Sequence, residues 1–201
     1  MTVIVAIKYR KTGDVYIGSD SAITAGKNIE KTKNPKICSK PFNIVDTDGN
    51  VLEHRFLIIG FAGAFSVFNF MKYSYMAPDL IEGTDIRTYL INSFLFCLKE
   101  ELEVSGLVDM NGTQMVTNST FLIIYNGDIF EIEDNLGLFE PDSDYVAIGV
   151  GKDLALGSLY STKRNKPSNR IKKAIEATAH HSLYVNDKYD WYRITEDDYK
   201  C

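Results

Sequence analysis

Thr2-Val3-Ile4-Val5-Ala6-Ile7, the turn Lys11-Thr12-Gly13-Asp14 and the run Val15-Tyr16-Ile17-Gly18 decide the fold. The first run is β-branched and apolar almost throughout, and the polar turn with its glycine reverses the chain into a second strand. Together they predict a hairpin whose first strand starts at residue 2.

The same grammar continues outward. Phe42 to Val45, the turn Asp46-Thr47-Asp48-Gly49-Asn50 and Arg55 to Ile59 predict a second hairpin, since Asp-Gly supplies the positive φ angles of a tight reversal. After Gly63 the period becomes helical: Phe65, Phe68 and Met71 or Lys72 share a face up to Pro78, which cannot continue a helix. A second helix is predicted with Thr84 as its cap, Asp85 in its first turn, and a stripe of Ile86, Leu90, Phe94, Cys97, Leu98 and Leu102 ending before Gly106.

Phe121 to Tyr125, Asn126-Gly127 and Ile129 to Ile132 predict a third hairpin, and Tyr145 to Ile148 a strand leading into Gly149-Val150-Gly151. A third helix is expected to start at that turn. A fourth, capped by Ser168, carries Ile171, Ala174, Ile175 and Thr178 on one face, with a last strand at Trp191 to Ile194. Blocks of antiparallel strands separated by pairs of helices favour an α+β, four-layer αββα sandwich, two sheets face to face with helices outside, over the alternating units of a parallel sheet.

A chain of 201 residues, 45% hydrophobic and 24% charged, suits one globular domain spanning 1–201. The net charge of −5 and the dispersed Lys and Arg give no basic stripe for nucleic acid. No apolar run approaches the ~20 residues that cross a bilayer, and Met1 to Arg10 lack the layout of a signal peptide, so a cytoplasmic protein is expected. Cys38, Cys97 and Cys201 are distant and odd in number, and His54, His180 and His181 fall in no metal-binding spacing. Free thiols and no metal or other cofactor are therefore expected.

Thr2 has a chemical use for its position. A threonine hydroxyl is a weak nucleophile without a base, and an N-terminal α-amine, with a pKa of about 7.7–8.0, can be that base within the same residue. Removal of Met1 would make Thr2 that residue. Taken alone, Thr2 reads as a common second residue and an ordinary strand former.

Four ordered segments carry a resemblance: Thr2 to Ile7; Val15-Tyr16-Ile17-Gly18-Ser19-Asp20-Ser21-Ala22-Ile23-Thr24; Pro35-Lys36-Ile37; and Ile59-Gly60-Phe61-Ala62-Gly63-Ala64. With Tyr145-Val146-Ala147-Ile148-Gly149-Val150-Gly151 and Leu183-Tyr184-Val185-Asn186, the set resembles the proteasome β-subunits and, more nearly, the bacterial peptidase HslV, which belong to the N-terminal-nucleophile hydrolases. The resemblance runs nearly end to end, with the Asp46 to Asn50 turn and the Asp109 to Gln114 stretch as local elaborations.

The resemblance implies that Thr2 is the nucleophile and that Lys36 lies beside its hydroxyl and amine, favouring the neutral amine and stabilising the alkoxide. It implies that Asp20 holds Lys36 and that Gly63 offers a backbone N–H to the oxyanion. It assigns the substrate-strand edge to Ile23 and Thr24, and the side-chain pocket to Phe61 and Phe65. Without the resemblance, Asp20 and Lys36 could be an Asx-turn carboxylate and a solvated lysine, and Gly63 an ordinary strand-to-helix glycine. Lys31 and Lys33 are rivals for the lysine, but only Lys36 precedes an aliphatic residue, Ile37.

Two positions depart from the pattern. Val150 replaces the serine between the turn glycines, and His180, or His181 in a register shifted by one, replaces an acidic residue. Adjacent histidines at a helix end also suit its C-terminal dipole. The resemblance implies a threonine peptidase in a homo-oligomeric ring, cutting polypeptide delivered by an AAA+ ATPase unfoldase. A non-catalytic ring scaffold and a small-amide hydrolase of the same fold are the alternatives.

Overall fold

The computed structural model describes residues 2–25, 28–31 and 36–200, and for 24, 25 and 28–31 the backbone alone. Met1, Lys33, Pro35 and Cys201 lie outside the described residues.

The first hairpin forms as the sequence predicts, with β1 (Val3–Tyr9) and β2 (Asp14–Asp20) paired antiparallel. β3 (Ala22–Ala25) and β4 (Asn28–Lys31) make a separate hairpin. β5 (Ile37–Val45) pairs along most of its length with the long β6 (Val51–Gly63). β7 (Leu80–Ile81) adds to β5 in parallel, the one parallel pair among the described residues, whereas the sequence predicts antiparallel neighbours throughout. β8 (Asp109–Asn111) and β9 (Gln114–Val116) form a small outlying hairpin. β10 (Ser119–Tyr125), β11 (Asp128–Ile132), β12 (Leu138–Phe139), β13 (Tyr145–Gly149) and β14 (Tyr189–Ile194) follow. Asn126 and Gly127, at φ 48° and 83°, give the β10–β11 turn the two positive angles that an Asn-Gly reversal requires.

The strands form a four-stranded sheet, β13-β1-β2-β14, and a six-stranded sheet, β12-β11-β10-β6-β5-β7. β1 shows why its sequence is apolar at every position. Val3, Val5 and Ile7 pack under helices α4 (Lys152–Ser161) and α5 (Pro167–His181), while Ile4 and Ala6 belong to the core between the sheets. A strand buried on both faces loses the alternation of a half-solvated one. At Gly60 a Cβ would crowd Ile4 and Ile17 of the facing sheet, so this glycine marks a close approach of the two sheets.

The outer face of the six-stranded sheet carries the other helices. α1 (Phe65–Asn69) runs into a π-helical turn at Phe70–Ser74, and α2 (Ile86–Tyr89) continues through another π-helical turn, Leu90–Phe94, into α3 (Leu95–Val104). The π turn has a cause in the sequence. Ile86, Leu90, Phe94, Leu98 and Leu102 recur every four residues, and each such step overshoots a 3.6-residue turn by roughly 40°. A wider turn brings the stripe back, and Leu90, Phe94, Leu98 and Leu102 are all wholly buried.

Two caps differ from the sequence reading. Asp85, not Thr84, caps α2 and accepts the Thr88 N–H at 3.0 Å. α5 begins one residue before Ser168, because Pro167 presets the helical φ of a first position. Ile171 and Ile175, wholly buried on its predicted face, stabilise the α5 layer by about 1.5–3 kcal/mol each. The four layers are helices α4–α5, the four-stranded sheet, the six-stranded sheet and helices α1–α3, the αββα order expected.

Candidate active site

Thr2 precedes β1 and is 5% exposed. The amide it shares with Val3 donates to Asp20 Oδ1 at 3.0 Å. Asp20 ends β2, and the antiparallel pairing of Ile4 with Ser19 fixes it beside the start of β1. The same Oδ1 accepts Lys36 Nζ at 2.8 Å, and Oδ2 accepts the Ala22 N–H at 3.0 Å. Both side chains are shielded almost completely, 1% exposed for Lys36 and 0% for Asp20.

This is a buried ion pair whose carboxylate accepts from three donors among the described residues. Burial pulls the Lys36 ammonium below the usual lysine value, against the opposing attraction of Asp20. The structure thus brings Thr2, Asp20 and Lys36 together, with Lys36 reaching the Thr2–Val3 peptide through one shared oxygen. A solvated surface lysine is ruled out for position 36.

Gly63 lines the same cavity as Thr2. It has φ 147°, and a Cβ there would overlap the Asn118 carbonyl and the Ser119 backbone, so only glycine fits. The next residue is tied down as well: Ala64 donates its N–H to Ser119 Oγ at 3.2 Å, and that hydroxyl donates to the Thr117 carbonyl at 3.0 Å. A cavity of about 360 Å³ opens here, lined by Thr2, Ala62, Gly63, Thr120, Gly149 and Val150 among others. Gly149, φ 90°, pairs with Val3, and a Cβ on it would overlap the Thr2 carbonyl oxygen.

The sequence reading missed Asn118, Ser119, Thr120 and Asp134, which also border this cavity. Their signal was faint: a polar Asn-Ser-Thr run before an apolar strand, brought here by the pairing of β10 with β6. In the sequence Gly149 reads only as part of a turn.

The four residues assigned to substrate lie outside that cavity. Ile23 is half-buried in β3, opposite Glu30, and Thr24 pairs through its backbone with Ile29. Phe61 is 1% exposed, stacked on Phe68 at 4.9 Å and tilted against Phe121 at 5.4 Å. Phe65 is half-buried, edge-on to Phe68 at 5.8 Å. One further link joins two of the quoted segments: Ser21 donates both its N–H, at 3.2 Å, and its hydroxyl, at 3.3 Å, to Asn186 Oδ1.

The departing positions are solvated. Val150 is 53% exposed, and His180 and His181 are exposed at the end of α5, edge to face with each other at 4.7 Å. A different carboxylate is buried nearby: Glu131 of β11 is held by Lys152 at 2.5 Å, in the first turn after Gly151, and burial raises its pKa. No group of three or more His, Cys, Asp or Glu able to hold a metal occurs among the described residues, and no described helix is long and apolar enough to cross a membrane.

No protein-family model and no curated sequence matches this chain. Solved structures do. BPH, the bacterial proteasome homologue of Thiobacillus denitrificans, superposes with a TM-score of 0.66 at 16% identity over 97% of this chain and 98% of that one. The same protein in complex with epoxomicin gives 0.65 at 15% identity over 96% and 98%. Eukaryotic HslV from Trypanosoma brucei gives 0.60 at 16% identity over 96% and 99%. The chain has the proteasome β-subunit and HslV type of fold.

Proposed function

We propose that this protein is a cytoplasmic threonine peptidase, one domain over its whole length, with Thr2 as N-terminal nucleophile once Met1 is removed. The observation that carries the reading is the buried Lys36–Asp20 pair hydrogen-bonded to the peptide that follows Thr2. A charge so thoroughly desolvated is an expensive structural element, and it adjoins the one residue whose amine could serve as its own base. The fold shared with BPH, whose structure in complex with epoxomicin is known, points the same way.

In the mechanism, the α-amine takes the Thr2 hydroxyl proton as the oxygen attacks a peptide carbonyl. Lys36 stabilises the alkoxide and keeps the amine neutral, and the Gly63 N–H receives the oxyanion. Collapse passes the proton to the leaving amine and leaves an ester on Thr2. Water, deprotonated by the same amine, then hydrolyses it. Ile23 and Thr24 would hold the substrate backbone, and Phe65, backed by the buried Phe61, would wall its side-chain pocket. No cofactor takes part.

A nucleophile this unselective calls for sequestration, so we place it in a homo-oligomeric ring supplied with unfolded polypeptide by an AAA+ ATPase unfoldase. Nucleic acid and membrane have no role in this reading. The test is hydrolysis of unfolded polypeptide and short peptides, unfoldase supplied, alongside the mass in solution. Turnover that vanishes in Thr2→Ala, from an assembly several times 22.7 kDa, is expected. Turnover of small amides alone would indicate an amidase instead.

A second reading, a non-catalytic ring scaffold, is favoured by Val150, His180 and His181, exposed residues standing where the resembled pattern has a serine and an acid. A ring that forms yet stays inert under all these conditions would establish it.

A further inference from the structure

At the other end of β1, roughly 17 Å along the strand from Thr2, α5 carries an arginine that feels Asp144 through its charge but makes no ion-pair contact among the described residues. Arg170 is 7% exposed. Its guanidinium lies 5.2 Å from the Tyr145 ring centre, and Nη2 donates to the Leu159 carbonyl at 2.9 Å, closing the C-terminal end of α4. Those two contacts explain one amino group and one face. Nε is buried and has no hydrogen-bond partner, and no carboxylate forms an ion pair with Arg170 among the described residues. A guanidinium so deeply buried, with one nitrogen left unpartnered, is costly, and an anion at its remaining donors would offset that cost.

The space for that anion is present. A cavity of about 300 Å³ is lined by Arg170, Arg10, Lys163, Asp142, Asp144, Ser143 and Tyr145. Asp144 is occupied by Arg10, whose Nε lies 2.5 Å from its Oδ1. Lys163 is exposed over the Tyr160 ring, 4.1 Å from its centre, at the border of the cavity. With Asp144 and Arg10 cancelling, Arg170 and Lys163 outweigh the exposed Asp142, leaving one net positive charge facing the cavity.

We propose that this cavity is a binding site for a compact oxyanion, a phosphate or a carboxylate, held by Arg170 from below and Lys163 from the rim. Arg170 provides the fixed, directional donors that suit such oxygens, and Lys163 a mobile point charge. Asp142 is the built-in competitor. Nothing in this site depends on Thr2 or on peptidase chemistry.

The test uses the intact protein with inorganic phosphate and, separately, acetate, each against chloride at equal ionic strength, followed by thermal unfolding and calorimetric titration. Wild type should show an anion-specific rise in Tm. Lys163→Gln should weaken binding a few fold, Arg170→Met about tenfold or more, the worth of one charge-assisted hydrogen bond, and Asp142→Asn should tighten it. Because Arg170→Met could unsettle α5, the two rim variants, which leave the core untouched, decide the matter if it does not fold. If the native anion is a carboxylate from a second copy of this chain, phosphate will also lower the mass in solution; an unchanged mass assigns the site to a free oxyanion. No phosphate- or acetate-specific stabilisation, or one that Lys163→Gln and Asp142→Asn leave unmoved, would overturn the proposal.

Discussion

On its β2 side, the peptide after Thr2 meets a buried carboxylate and a buried ammonium; on its β13 side, Thr2 meets a glycine and a valine that is half in solvent. The first flank is densely bonded and buried: Asp20 accepts from Val3, Ala22 and Lys36, and both charged side chains are shielded from solvent. The second contributes backbone and open space. Electrostatic help is worth far more where water is excluded. The departures from the resembled sequence pattern, Val150 and the two histidines, fall at solvated positions, whereas every buried charge beside Thr2 is kept.

The most severe way to break this asymmetry is Lys36→Ala. It strands the Asp20 carboxylate in the core, at a cost of about 3–5 kcal/mol in denaturant unfolding, and should lower peptide hydrolysis by on the order of 10²-fold or more. The double variant Asp20→Asn with Lys36→Met removes both charges, so it should recover much of the stability and none of the rate. Recovery of both would make the pair a structural feature only.

Gly149→Ala attacks the other flank through sterics. At φ 90° the new methyl is strained and presses on the Thr2 carbonyl oxygen, which should displace the nucleophile and reduce the rate roughly tenfold to 10²-fold. Steady-state kinetics on folded protein checks this. A neutral result would mean that Thr2 tolerates displacement and is not held for catalysis.

The pH profile gives a finer comparison. Activity should climb as the α-amine loses its proton, below its ordinary pKa of about 7.7–8.0 because the Lys36 charge favours the neutral form, and decline when Lys36 loses its own. Lys36 acts while charged, and burial lowers its pKa, so the alkaline limb should fall below the usual lysine value. Asp20→Asn removes the attraction that opposes this shift and should move the limb to still lower pH. An alkaline limb that stays put in Asp20→Asn would detach Lys36 from the profile.

The smallest effect is expected of Val150→Ser. Because the site is 53% exposed, stability should change by no more than about 0.5 kcal/mol. The rate should rise by a factor of about three at most, since a hydroxyl in water adds little to a preorganised site. A large gain would show that the β13 flank limits catalysis after all.

Much of this was legible in the sequence because it is local. The apolar N-terminal strand, the Asn126-Gly127 reversal and the α5 stripe are each written in consecutive residues, and Lys36 was identified by its neighbour Ile37. Features set by tertiary packing were harder to read. The π turn at Leu90–Phe94 arises only when a four-residue apolar repeat must keep facing a sheet. Thr84 and Asp85 both can cap, and the geometry chose Asp85. Asn118, Ser119, Thr120 and Asp134 reach the site through pairing with strands far away in the chain, and the polar Asn-Ser-Thr run before β10 hints at it only faintly. Arg170 looks like one more surface charge on a helix until Tyr145 and Leu159 close over it.

The central claim is that Thr2 becomes the N-terminal residue and attacks. It is tested most directly by the intact mass of protein made in cells, before and after incubation with a peptide epoxyketone, with the adduct mapped by fragmentation. The expected result is a chain lacking Met1 that gains one inhibitor mass on Thr2, with no gain in Thr2→Ala. A chain that retains Met1, or an adduct that persists in Thr2→Ala, would contradict it.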